Sequence, residues 1–310
     1  MAATKEKQHD GLKPKPITRI LLRRMALPEP ESDGDKEDRG RVLVVGGSTQ
    51  IPGAVILSAV AALRAGAGKL QIATCRSVAQ DVAVVVLESR VFPLSEAKSG
   101  DISRAASKEI SRRAQGVDAV LLGPGWSDEE EANNLGRRVL PNLRECSVVV
   151  DAMALRALDG NPSLLEQLYG RVVLTPHAGE MAGLMGLSKE EVQEASARVA
   201  VEAAKRFKVV VALKGRETFI ASPDGELVVN RAGNVGLATS GSGDVLAGLV
   251  TGFLARGADP FRAAVWGVHV HAVAGDRLAK RIGLLGYLAR ELLGEVPGVL
   301  EEMRGKRGEL

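Results

Sequence analysis

From Arg41 onward, short apolar runs alternate with stretches of helical spacing, and the runs end at glycine or at a single polar residue. Strands are predicted at 42–45, 69–74, 117–122, 148–150, 171–174 and 209–213, with helices near 54–65, 102–114, 129–139 and 188–207. Ser188-Lys189-Glu190-Glu191 opens the last of these helices as a capping box. Two short strands, 218–221 and 227–229, flank the turn Pro223-Asp224-Gly225. Three further helices are predicted at 244–255, 260–280 and 285–303. This rhythm predicts an α/β fold, a mostly parallel central sheet with helices on both faces. In such a sheet, ligands bind beyond the carboxyl ends of the strands. Gly46-Gly47, Gly123-Pro124-Gly125, Asp151, His177 and Lys214 all fall at predicted strand ends.

One domain is expected over 41–303, with residues 1–40 a tail and peripheral segment and 304–310 a C-terminal tail. Within the former, 28–39 is rich in Pro, Gly, Asp and Glu and reads as a linker. Hydrophobic residues make up 45% of the 310, so a large core is available, but aromatics are only 3% and small aliphatics must fill it. That scarcity disfavours modules that bind nucleic acid by stacking. The net charge of +3 comes largely from the basic tails, and no nucleic-acid partner is expected. The uncharged stretch 42–63 is long enough for a membrane span, but Gly46, Gly47, Pro52 and Gly53 break it into strand, loop and helix. No membrane association is expected. Cys75 and Cys146 lack metal-ligand spacing and read as reduced thiols. The polar N-terminus carries no signal peptide, so a cytoplasmic location is expected.

The chemistry is concentrated in Gly233-Asn234-Val235-Gly236-Leu237-Ala238-Thr239-Ser240-Gly241-Ser242-Gly243-Asp244, followed by an apolar helix. The first N–H groups of a helix lack internal partners and favour negative charge. Glycines let that backbone approach a ligand closely. Gly241, Ser242 and Gly243 are therefore a candidate anion hole, and Asp244 is a candidate general base beside it. The P-loop signature is absent, as is a Gly-x-Gly-x-x-Gly between a strand and a helix. Lys214-Gly215-Arg216-Glu217-Thr218 follows a strand and reads either as a phosphate contact or as a hairpin with a solvated lysine. His177 stands at a helix entrance, able to donate to a ligand or to serve structurally. His269 and His271 alternate within one helix and read as structural. Asp151 and Glu180 are each able to hold Mg²⁺ through water, and equally able to act as caps.

Together these segments resemble the NAD(P)H-hydrate dehydratases of the ribokinase-like superfamily. The likeness rests on residues 40–48, Pro52-Gly53-Ala54, Ala62-Leu63-Arg64-Ala65-Gly66-Ala67-Gly68, Gly123-Pro124-Gly125, Thr175-Pro176-His177, Leu213-Lys214-Gly215 and 233–248. It implies a single-domain cofactor-repair enzyme acting on the S epimer of NADH or NADPH hydrated at C6. ADP (or ATP) would be the co-substrate, Mg²⁺ the metal, and a homo-oligomer, a tetramer, the assembly. The resemblance assigns Ala54, Gly125, His177 and Asp244 to the hydrated cofactor, with Asp244 as the base. It assigns Lys214, Gly215, Arg216, Glu217, Thr218 and Gly243 to the nucleotide. One departure is Met153, where the family often has a second aspartate after Asp151. The alternative is a kinase of the same superfamily acting on a vitamin-precursor alcohol, and a third reading is a nucleotide-binding regulator without turnover.

Overall fold

The structure is a computed structural model that describes residues 13–29 and 34–304. In chain order its elements begin with β1 (Lys15–Pro16), α1 (Arg19–Arg24), β2 (Arg41–Val45), α2 (Pro52–Arg64), β3 (Lys69–Cys75), α3 (Ala79–Val85) and β4 (Ser89–Leu94). Next come α4 (Ser107–Arg113), β5 (Ala119–Leu122), α5 (Glu129–Val139), β6 (Ser147–Val150), β7 (Val172–Leu174), α6 (Ala178–Met185), α7 (Lys189–Glu194) and α8 (Ser196–Phe207). The chain closes with β8 (Val210–Leu213), β9 (Thr218–Ala221), β10 (Leu227–Asn230), α9 (Ser242–Ala255), α10 (Pro260–Arg281) and α11 (Ala289–Arg304).

Among the described residues, ten strands form one sheet in the order β1-β10-β9-β8-β7-β6-β5-β2-β3-β4. The seven strands from β8 to β4 run parallel, and β9 alone runs antiparallel, between β8 and β10. The expected fold class is therefore the one observed. Successive strand side chains point to opposite faces, so β2 sends Leu43 and Val45 into one apolar cluster and Val42 and Val44 into the other. One cluster includes residues of α4, α5, α6 and α8; the other includes residues of α2, α9, α10 and α11. Burial on both faces explains why these strands read as continuous apolar runs.

Three differences from the sequence expectation have local causes. The helix predicted over 188–207 is two helices, because Ser196 Oγ donates to the carbonyls of Val192 and Gln193 at the junction. Strand β4 was not predicted; it contains Pro93 and lies at the sheet edge, the position where a strand tolerates proline. Part of the segment read as peripheral is built into the fold. β1 pairs with β10, Leu22 is buried, and Trp266 Nε1 donates to the Met25 carbonyl at 2.6 Å. Residues 1–12, 30–33 and 305–310 of the predicted tails lie outside the described residues. Among the described residues no helix is long and apolar enough to cross a membrane.

Candidate functional site

The strand order reverses at β2. From β2 the chain moves outward through β3 to β4, then returns to place β5 on the other side of β2. A ligand crevice is expected where carboxyl ends diverge at such a switch. Here the two loops are made of glycine. The Gly47 N–H donates to the Pro124 carbonyl at 2.7 Å. Gly125 has φ +72°, and a Cβ on it would lie 2.5 Å from the Ile51 carbonyl oxygen and 3.0 Å from Ala54 Cβ. Gly125 and Ala54 thus sit together on one side of the crevice.

The next three strand ends carry polar groups that meet. Thr175 Oγ1 donates to Asp151 Oδ1 at 2.6 Å, and Lys214 Nζ donates to the same oxygen at 3.0 Å. The second acidic neighbour of Lys214 is Glu180, at 4.0 Å. Burial by itself would lower the Lys214 pKa, but Asp151 and Glu180 outweigh it and raise the pKa, so the ammonium stays charged. Asp151 has a buried side chain, and Ala152 directly after it is held at φ +53°, a region non-glycine residues seldom occupy.

Helix α9 points its start at these groups. Gly241 at φ +87° makes the turn into the helix, and no side chain caps it. The helix begins at Ser242, two residues before the predicted start. The Ser242 N–H donates to the Thr239 carbonyl at 3.2 Å, and Ser242 Oγ shares a 3.0 Å hydrogen bond with His271 Nε2. Ser242 is thus occupied by protein partners. Of the three residues read as the anion hole, Gly241 supplies the turn and Gly243 supplies an uncapped N–H. A Cβ on Gly243 would lie 3.5 Å from Lys214 Nζ, so the ammonium sits beside that amide.

Asp244 occupies the first turn of α9. Burial and then the nearby Asp151 charge push its pKa up to about 7, with Lys214 pulling the other way. Packing against α2 fixes its position. Cβ atoms on Gly248 and Gly252 would lie 2.2 Å from the Ser58 carbonyl oxygen and 2.5 Å from the Ala62 carbonyl oxygen. These close approaches seat α9 on α2 just beyond the first turn that carries Asp244.

His177 is the N-cap of α6. Its Nδ1 accepts from the Glu180 N–H at 3.0 Å, while Glu180 Oε2 accepts from the His177 N–H at 2.7 Å. The imidazole is nonetheless 60% exposed. It lines a cleft of about 860 Å³ together with Lys189, Lys214, Gly215, Arg216 and Glu217. Glu217 accepts a 2.6 Å bond from Arg231 Nε. Thr218 is the first residue of β9, paired with Asn230. The structure therefore gathers His177 and residues 214–217 on one cleft. Lys214 links that cleft to Gly243 and Asp244, and Ala54 packs beside Gly125 at the start of α2.

The two carboxylates considered for a metal are already engaged, Asp151 with Thr175 and Lys214, and Glu180 in its capping box. Among the described residues no three His, Cys, Asp or Glu side chains gather as ligands. This donor set does not build a protein-based Mg²⁺ site, so a magnesium ion would rely on nucleotide phosphates. Cys75 and Cys146 are free and buried, and burial pushes their thiols up to about 12 and about 11, which suits inert structural residues. His269 and His271 were expected to be structural. His269 Nδ1 meets Asn230 Oδ1 at 3.0 Å, whereas His271 contacts the first residue of α9. The Asp151–Lys214 and His271–Ser242 pairings escaped sequence reasoning, since nothing in their spacing marks them.

A parallel sheet with a switch-point crevice, an uncapped helix start and an adjacent carboxyl and ammonium defines a ribokinase-like α/β protein. An Enterococcus faecalis ribokinase-like superfamily protein matches the fold with a TM-score of 0.76 at 25% identity, covering 95% of this chain and 99% of that one. The family model for NAD(P)H-hydrate dehydratase matches residues 42–297, and the chain belongs to that family. It is 48% identical to the ADP-dependent (S)-NAD(P)H-hydrate dehydratase of Xanthomonas campestris, over 94% of this chain and 98% of that protein. It is also similar to the ADP/ATP-dependent NAD(P)H-hydrate dehydratase of Bacillus subtilis, co-crystallised with ATP/Mg²⁺. There the TM-score is 0.78 at 29% identity, covering 94% of this chain and all of that one.

Proposed function

We propose that this chain dehydrates the S epimer of hydrated NADH and NADPH at the expense of ADP. The observation that carries the reading is Asp244, a carboxyl of raised pKa at an uncapped helix start with Lys214 beside it. Hydroxide is a poor leaving group and phosphate a good one. Asp244 takes the proton of the C6 hydroxyl as that oxygen attacks the terminal phosphorus of ADP, and the bond to AMP breaks. The Gly243 N–H and the Lys214 ammonium stabilise charge on the transferred group. The ring nitrogen then expels phosphate from C6. Loss of a C5 proton forms the C5–C6 double bond, giving NAD(P)H, AMP and phosphate. Ala54, Gly125 and His177 hold the hydrated cofactor, and Lys214, Gly215, Arg216, Glu217, Thr218 and Gly243 hold the nucleotide. Mg²⁺ would enter with that nucleotide, neutralising its phosphates. A cytoplasmic homotetramer completes the proposal, and mass measurement in solution tests the assembly.

The deciding assay supplies hydrated NADH with ADP or ATP and Mg²⁺. Return of the reduced-nicotinamide absorbance with equimolar phosphate is the expected result. A stable phosphorylated product from another alcohol would establish the kinase alternative, and nucleotide binding without turnover a regulator.

Two further results are expected. The rate under saturating substrate should rise with pH through about 7, as Asp244 loses its proton and becomes a competent base. A rate independent of pH from 5.5 to 8.5 (about the window that brackets a group titrating near 7) would remove Asp244 from that role. Lys214→Met should raise KM for ADP by about 10- to 100-fold, the worth of one charged hydrogen bond. It should also lower the thermal midpoint, because Asp151 is left buried without its cation. Unchanged KM would remove Lys214 from the nucleotide site.

A further inference from the structure

We propose that His271 is a positioning residue for the phosphoryl-transfer step, fixing the first turn of α9 through Ser242; this rests on the reaction proposed above. His271 lies in the middle of α10, 9% exposed, with Nε2 3.0 Å from Ser242 Oγ, and Ser242 is 4% exposed. Ser242 stands between Gly241, at φ +87°, and Gly243. It is the first residue of α9 and the one directly before the anion-binding amide of Gly243. Glycine on either side of Ser242 gives this backbone more accessible conformations than bulkier residues would. The hydrogen bond to His271 is the side-chain tether that selects one of them.

Helix α10 holds the same loop at two earlier points. His269 Nδ1 meets Asn230 Oδ1 at 3.0 Å, and Asp276 accepts from the Gly233 N–H at 2.9 Å and from Asn234 Nδ2 at 3.0 Å. Tyr287 OH adds a 3.0 Å bond to Asn234 Oδ1. The stretch from Asn230 to Ser242 is thus pinned to one rigid helix, and His271 is the last pin before the reacting groups. Burial drives the His271 pKa down to about 4, so the ring acts as a neutral hydrogen-bonding group. It touches no reacting atom. Its effect is on aim, setting where the Gly243 N–H and the Asp244 carboxyl point.

The test compares His271→Leu, His271→Gln, Ser242→Ala and the double variant His271→Leu/Ser242→Ala in steady-state turnover of hydrated NADH. His271→Leu should lower kcat by about 10- to 100-fold, the cost of a small misplacement of reacting groups, with KM for ADP unchanged. Glutamine can place an amide near the imidazole Nε2, so His271→Gln should recover most of that loss. Ser242→Ala should fall as far as His271→Leu, and the double variant no further, because one interaction is removed in each case. Multiplying losses in the double variant, no rescue by glutamine, or full kcat in Ser242→Ala would each overturn the proposal. Should His271→Leu fail to fold, Ser242→Ala and His271→Gln still decide the matter. Failure of the proposed reaction is distinguishable, since the unsubstituted protein would then not turn over hydrated NADH at all.

Discussion

Asp244→Asn is expected to lower kcat for dehydration of hydrated NADH by about 10²- to 10⁴-fold, the usual worth of a positioned base. ADP affinity should hold, because the amide keeps the shape of the side chain and the phosphate contacts come from Gly243 and Lys214. A second signature follows from linkage. The folded-state pKa of about 7 lies above the ordinary 3.8. Such a group contributes stability that is full below the lower value and lost as pH rises through the upper one. Asn cannot ionise. The thermal midpoint of Asp244→Asn should therefore gain on that of the unsubstituted protein from about pH 4 to about pH 7 and then level off. Near-normal turnover in the variant would sink the assignment of Asp244 as base. A gap in midpoint that does not change with pH would sink the account of its raised pKa.

Gly248→Val is expected to destabilise the fold by about 3 kcal/mol, at the upper end of typical overpacking costs. Even the Cβ at this position would lie 2.2 Å from the Ser58 carbonyl oxygen and 2.7 Å from Ala61 Cβ, so α2 and α9 must separate. That separation also shifts α9, whose first turn carries Asp244, so residual folded protein should show reduced kcat. Gly294→Ala is the control, since nothing lies within 4 Å of a Cβ there. It should be neutral or slightly stabilising, by about 0.5–1 kcal/mol. Urea unfolding measures both. A Gly248→Val variant as stable as the parent would mean that the close approach of these helices is dispensable.

Local signals are the most legible in this chain. The strands that appear as apolar runs are the central parallel ones, because burial on both faces leaves no polar face to confuse the period. Edge elements were harder. β4 combines a proline with a half-exposed pattern, and β1 is a two-residue strand whose pairing with β10 spans some 200 residues of sequence. The strand-end residues were legible as candidates, since parallel sheets place ligands there. Their partners were not. Asp151 read equally as a cap or a metal holder, whereas in the fold its carboxylate accepts from Thr175 and Lys214. His271 reads as structural, since helical periodicity says which face it occupies but not what meets that face.

The sequence by itself determined the α/β class, the row of residues at the strand ends, and the glycine-bordered helix start carrying Asp244. These follow from backbone chemistry and short-range period, which a few neighbouring residues encode. Only the tertiary structure decided that Lys214 pairs with Asp151, that Gly125 packs against Ala54, that His271 bonds Ser242, and that burial pushes the Asp244 pKa up to about 7. Those are properties of distance and desolvation between segments far apart in the chain, and no spacing within one segment specifies them.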